Sequence, residues 1–214
     1  MALETKAKYI FTWLFVTSVL YFLVQALVTH SYSFMTPLDS LIPFIPEFVW
    51  VYHTLIPTIV ATAIFSMQKR EVFFKTVAAL SISVVVLTFF HLVLPSYYPR
   101  EDIGPLSSSI SLWLVELTRE FDAACNTFPS GHVAFSWILC FCVGEADCVK
   151  RKKSLLGVYL LWATLISLST LFLKQHYIFD VVAGIVLAHI SFLIAEKVVK
   201  RGEYLYEAAN SRGC

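Results

Sequence analysis

The sequence predicts an all-α protein, a bundle of six transmembrane helices with both termini in the cytoplasm. Three observations carry this. Of the 214 residues, 58% are hydrophobic and 14% charged, with a mean hydropathy of +0.73; soluble domains hold only ~45–50% apolar residues. The apolar residues gather into six long runs, each near the ~20 residues a helix needs to cross a bilayer. Lys and Arg concentrate on alternate connections between the runs, the asymmetry that orients membrane proteins. Residues 1–214 therefore read as a single integral membrane domain, with no room for a separate soluble one.

The expected spans are 8–29, 47–67, 73–95, 129–147, 154–173 and 177–197. The first follows Lys6 and Lys8, as a signal peptide would. It is too long for a signal h-region and no small-residue cleavage site follows, so it reads as a retained helix. The connection 31–46 contains Leu41-Ile42-Pro43-Phe44-Ile45-Pro46, apolar and broken by proline. It suits the membrane interface, with Trp50 and Tyr52 following as interfacial aromatics. The connection 96–127 is the longest. Within it, 109–124 has helical spacing, with Trp113, Leu114 and Leu117 on one side and Glu116, Arg119, Glu120 and Asp122 on the other. The fourth span opens on the polar Ser130-Gly131-His132. The connection 174–177 is very short.

Thirteen of the sixteen Lys and Arg residues fall on one side of this topology. They are Lys6, Lys8, Lys69, Arg70, Lys75, Lys150, Arg151, Lys152, Lys153, Lys197, Lys200, Arg201 and Arg212. Arg100, Arg119 and Lys174 fall on the other. That places both termini in the cytoplasm. The cysteines form no framework: Cys125 is outer, Cys140 and Cys142 lie within the fourth span, and Cys148 and Cys214 are cytoplasmic. Neither a disulfide nor a metal spacing is present, and no cofactor is expected. The net charge of +1 argues nothing about nucleic acid, and with no basic, aromatic-interleaved cluster outside the membrane flanks no nucleic-acid partner is expected.

Chemistry concentrates on the outer side. Phe128-Pro129-Ser130-Gly131-His132 places a Ser-Gly-His run at a helix start, where backbone N–H groups attract an anion. His176 and Asp180 stand four apart and share a helix face. A His held by a carboxylate is a nucleophile or base of fixed tautomer. Arg100 follows the third span on the same side. Together these residues point to phosphoryl transfer through a histidine. His53, His91 and His189 read as bundle histidines. Asp122 and Asn126 read as loop caps, with orientation of the Ser130 loop as the sharper alternative.

These residues resemble the type 2 phosphatidic acid phosphatase superfamily of membrane lipid phosphatases and phosphotransferases. Its pattern has three parts: Lys, six residues, Arg-Pro; then Pro-Ser-Gly-His; then Ser-Arg, five residues, His, three residues, Asp. Pro129-Ser130-Gly131-His132 matches the second part completely, and Ser169, His176 and Asp180 match the third. Thr170 stands where the third part has Arg. Arg100 can serve as the Arg of the first part, with Glu101 in place of its Pro and Val93 in place of its Lys. The subgroup of inositolphosphorylceramide and sphingomyelin synthases lacks the same cations. Gln175-His176-Tyr177-Ile178-Phe179-Asp180, Asn126 and the Pro43–Pro46 loop are similar to it.

The resemblance implies metal-free phosphoryl transfer on a membrane lipid phosphate presented from the extracytoplasmic or lumenal leaflet. His176 attacks phosphorus, Asp180 orients it, and His132 protonates the leaving oxygen. Arg100, Ser130, Gly131 and Lys174 hold the phosphate, with Lys174 partly replacing the Arg absent at Thr170. Three readings stay open: a lipid phosphate phosphatase, a phosphotransferase to an alcohol such as a ceramide, and an inactive scaffold or transport component. The membrane is a bacterial inner membrane or a eukaryotic endomembrane, and the oligomeric state is open.

Overall fold

The computed structural model describes residues 2–28, 32–66, 69–100, 103, 109–145 and 152–211. Glu101, Lys150, Arg151, Arg212, Cys148 and Cys214, used in the sequence reading, lie outside the described residues. Among the described residues the fold is all-helical; pairing is limited to the isolated bridges Tyr32–Ser96 and Tyr97–Cys125.

The helices are α1 (Leu3–Leu27), α2 (Pro37–Ser40), α3 (Val49–Tyr52), α4 (Leu55–Ala61), α5 (Arg70–Val93), α6 (Ile110–Phe121), α7 (Gly131–Glu145), α8 (Lys152–Phe172) and α9 (Ile178–Ser211). Five stretches are long and apolar enough to cross a bilayer: Leu3–Leu27, Pro46–Ile64, Arg70–Val93, Lys153–Phe172 and Ile178–Gly202. The chain is an integral membrane protein. The expected fourth span corresponds to α7, which is apolar but has only 15 residues. It starts two residues later than expected because Pro129 and Ser130 belong to the approach, where Ser130 caps the helix.

The second span is not one regular helix. A 3₁₀ turn (Pro46–Phe48), α3, α4 and a π segment (Thr62–Ser66) follow one another. Pro57 explains the break between α3 and α4: it has no N–H, and its ring crowds the carbonyl four residues back, at His53. Thr54 marks the break. Its hydroxyl donates to Val51 O at 2.6 Å and accepts from Trp162 Nε1 at 2.9 Å, anchoring the bend to α8.

Packing follows membrane logic, in which lipid offers apolar helices no drive to associate and small residues let backbones approach. Gly184, Ala188, Ser191 and Ala195 are buried and recur every three or four residues along α9, so they share one face. That helix packs on α7 and α5, and α7 also packs on α8, which puts α7 at the centre. Ala134, Ser136, Ala79 and Ser83 are fully buried on the facing helices. Large apolar side chains such as Phe15, Val85 and Val186 point outward to lipid. At the bundle end where α5 begins, Lys75 reaches Glu145 of α7 at 2.6 Å and Glu196 of α9 at 3.6 Å. A buried ammonium there requires such partners.

The amphipathic helix expected at 109–124 is α6, capped by the Ser109 hydroxyl, which accepts from Ser111 N–H. Its buried side carries Ser111 and Val115, while Trp113 is 53% exposed rather than inward. The Trp50 indole donates to Ser111 Oγ at 3.1 Å, holding α6 against α3.

Candidate active site

Local sequence builds the site at the junction of α7 and α9. Ser130 precedes α7, and its hydroxyl accepts from Val133 N–H at 3.4 Å, in the position of an N-cap. The Ser130 N–H donates to Asp180 O at 3.1 Å, so the Pro-Ser-Gly-His segment is pinned to the first turn of α9. Gly184 makes this approach possible. A Cβ there would lie 2.8 Å from Ser130 O and 3.0 Å from Val133 Cβ.

His176 is presented by a tight turn after α8. Lys174 adopts a left-handed backbone (φ 56°), and Thr170 O accepts the N–H groups of both Gln175 and His176. The His176 ring is fixed through Nδ1, which lies 2.7 Å from Thr127 O and 3.4 Å from Asp180 Oδ2. Both neighbours are acceptors, so Nδ1 carries the proton and Nε2 the lone pair. The main-chain carbonyl, not the carboxylate, takes the shorter bond. Asp180 is fully buried and its Oδ2 also accepts Tyr177 N–H at 2.9 Å.

His132 lies across from His176, with ring centroids 6.4 Å apart. Tyr52 stacks on His132 at 4.1 Å and 24°, and its hydroxyl lies 3.4 Å from His132 Nδ1. The same hydroxyl donates to Asp122 Oδ2 at 3.3 Å. Tyr21 of α1 donates to Asp122 Oδ1. Because the Tyr52 hydroxyl donates to Asp122, it accepts from His132 Nδ1–H, and this chain fixes the orientation of the His132 ring.

His132, His176, Gly131, Arg100 and Gln175 line a cavity of about 450 Å³. Arg100 Nη2 donates to Gln175 Oε1 at 2.7 Å and Nη1 to Arg119 O at 3.2 Å. The guanidinium is thereby held against Gln175, the residue before His176. The rest of the cavity is mostly apolar and runs between α1, α4, α5 and α7, past Trp13, Ile59, Val84 and Leu87.

A family model described as the PAP2 superfamily matches residues 11–202. The chain belongs to this superfamily. The crystal structure of Aquifex aeolicus LpxE is similar in fold, with a TM-score of 0.50 at 18% identity, over 77% of this chain and 88% of that one. No curated protein sequence matches the chain.

Not every expected residue of this PAP2 chain reaches the cavity. Ser130 is fully buried and committed to capping, and its N–H is taken by Asp180 O. The donors left to an anion at this helix start are the first-turn amides of Gly131 and His132, which have no intrahelical partner. Lys174 turns away: its ammonium donates to Asp39 O at 3.0 Å and to Ile42 O, clamping the 36–42 segment. Thr170 is buried, with its hydroxyl bonded to Ser167 O. Among the described residues, no group of three or more His, Cys, Asp or Glu converges as a metal site.

Several residues were missed or underread from sequence. Tyr52 reads as an interfacial anchor but is only 3% exposed, against His132. Asp39 is also buried; its Oδ1 accepts Ile178 N–H at 2.8 Å and so caps α9 from a distant loop. Its signal was the Thr36-Pro37-Leu38-Asp39 capping box. Tyr177 supports the turn before α9. Its hydroxyl donates to Tyr97 O at 2.9 Å and its ring stacks on Tyr98. Burial pushes its phenol above the usual tyrosine range.

Proposed function

We propose that the protein is a metal-independent lipid phosphate phosphatase acting on phospholipid or isoprenoid (di)phosphate headgroups at the extracytoplasmic face. The observation that carries this is the pair of histidines facing each other across one cavity, with the His176 tautomer fixed. His176 Nε2 attacks phosphorus and forms a phosphohistidine while Nδ1–H stays bonded to Thr127 O and Asp180. His132 passes a proton to the departing lipid oxygen. Arg100 and the amides of Gly131 and His132 stabilise the phosphoryl oxygens. Water then attacks the phosphohistidine with His132 as base, releasing phosphate and restoring His176. The lipid chain occupies the apolar part of the cavity.

Transfer to an alcohol instead of water is the second reading. It is favoured by Thr170, which supplies no cation where the superfamily pattern has Arg. The deciding experiment is phosphate release from a lipid panel, with and without added alcohol acceptor. Free phosphate in both conditions supports hydrolysis. A phosphorylated acceptor without free phosphate supports transfer. Neither product from any lipid supports an inactive relative. Activity is expected to persist in excess EDTA, because the charge-stabilising groups are Arg and amide donors. Loss in EDTA with recovery in magnesium overturns the metal-free mechanism.

The face of the membrane is tested by cysteine labelling. In a background whose five native cysteines are replaced by serine, Ser40→Cys and Ser154→Cys are both exposed positions. A membrane-impermeant maleimide is expected to label the first in intact cells and the second only after permeabilisation. The reverse pattern overturns the six-span topology with cytoplasmic termini.

A further inference from the structure

The cavity contains polar groups that the phosphoryl chemistry does not use. Asn126 is 5% exposed and lines the cavity, yet neither its Oδ1 nor its Nδ2 has a hydrogen-bond partner. An unsatisfied buried amide costs free energy unless something pairs with it. Its backbone is left-handed (φ 60°), which Asn tolerates better than most residues. Asn126 directly precedes Thr127, whose carbonyl holds His176, so the amide belongs to the same rim.

His91 is the second such group. It lies in the last turn of α5, is 7% exposed and lines the same cavity. Its buried Nε2 has no hydrogen-bond partner.

These two residues define what they pair with. The Asn126 amide requires a group that both donates and accepts, and His91 Nε2 requires a hydrogen-bond partner. A hydroxyl has one proton and two lone pairs, so it donates to Asn126 Oδ1 or His91 Nε2 and accepts from Asn126 Nδ2; an ester carbonyl only accepts and leaves Asn126 Oδ1 unpaired. We propose that Asn126 and His91 form a recognition subsite for a lipid hydroxyl near the phosphate, so that the enzyme selects phosphates of hydroxyl-bearing lipids over fully acylated ones. This inference rests on the phosphatase reading for its readout by turnover, and not for its readout by binding.

The test uses a matched pair: a 1-acyl-2-hydroxyglycerol 3-phosphate and its 2-O-methyl ether. The ether keeps chain and phosphate but cannot donate. Detergent-purified protein is assayed for phosphate release, and for binding by competition against a fluorescent lipid phosphate. The wild type is expected to prefer the hydroxyl lipid by about tenfold or more in kcat/KM and in affinity, as loss of a donor to buried acceptors implies. Two variants localise the effect. Asn126→Gly removes the amide but permits positive φ. His91→Asn keeps a polar group near the Nδ1 position and deletes Nε2. Each is expected to bring the preference close to one. Where a variant does not turn over, its binding ratio decides in the same way. A wild-type ratio near one in both readouts overturns the subsite, and so does a high ratio unchanged by both variants. No phosphate release from either lipid or from any lipid of the panel, with a binding preference intact, overturns the phosphatase reading and leaves the subsite standing.

Discussion

His176→Ala is expected to lower phosphate release by about 10⁴-fold or more, with the protein still inserted and folded. The size follows from the role. In the proposed mechanism the imidazole supplies the attacking lone pair, and no other nucleophile is assigned opposite His132. Removing a member of a concerted set costs nearly as much as removing the set. His132→Ala is therefore expected to fall to a similar floor, and the double variant to fall little further. Asp180→Asn tests orientation separately from nucleophilicity. It keeps the volume but removes the charge that faces Nδ1–H at 3.4 Å. The Thr127 carbonyl still accepts at 2.7 Å, so the loss is expected to be smaller than for His176→Ala. The direct readout is a labelled protein: brief exposure to a ³²P-phosphate-labelled lipid should trap acid-labile, base-stable label on wild type and none on His176→Ala. Near-normal turnover by a folded His176→Ala protein would falsify the phosphohistidine mechanism.

The histidines were legible in the sequence because each sits in a pattern with a physical meaning. Ser130-Gly131-His132 opens a helix, and His176 with Asp180 has helical i,i+4 spacing. The five long apolar stretches were legible for the same reason, since span length is set by the bilayer. What was not legible depends on contacts between distant segments. Tyr52 and Asp122 are 70 residues apart, and no local spacing announces that one hydroxyl joins Asp122 to His132. Lys174 stands two residues before His176, which suggested the phosphate site. The left-handed turn instead sends its ammonium to carbonyls of residues more than 130 positions earlier. Ser130 was expected to give its N–H to phosphate, but the close approach of α9 assigns it to Asp180 O. The break in the second span was foreshadowed only by Pro57, and a proline within a membrane helix does not by itself say whether the helix kinks or stops.

Gly184→Ala is expected to lower kcat/KM by about 100-fold, although residue 184 touches no substrate. The reason lies in how the two halves of the site are held together. His132 rides on α7, while His176 and Asp180 sit at the start of α9. Their separation is set where α9 meets the Ser130 turn. A Cβ at 184 would stand 2.8 Å from Ser130 O, closer than real side chains approach, and 3.0 Å from Val133 Cβ. Neither obstacle is a flexible side-chain end, so the helices must move apart. That retreat stretches the Ser130 N–H bond to Asp180 O, now 3.1 Å, and widens the gap between the two rings. A shift near 1 Å in a reacting geometry costs on the order of 10² in rate. The same overpacking is expected to cost about 1–3 kcal/mol of stability, read as a lower melting temperature in detergent. Gly157→Ala on α8 is the control, because a Cβ there meets nothing within 4 Å; it should leave activity unchanged and, by helix propensity, should not lower the melting temperature. Because the Gly184 effect is geometric, it should appear in kcat for every lipid in the panel alike, whereas a lesion in lipid recognition would spread unevenly among them. Full activity in Gly184→Ala would mean that the contact between α7 and α9 does not set the distance between the two histidines.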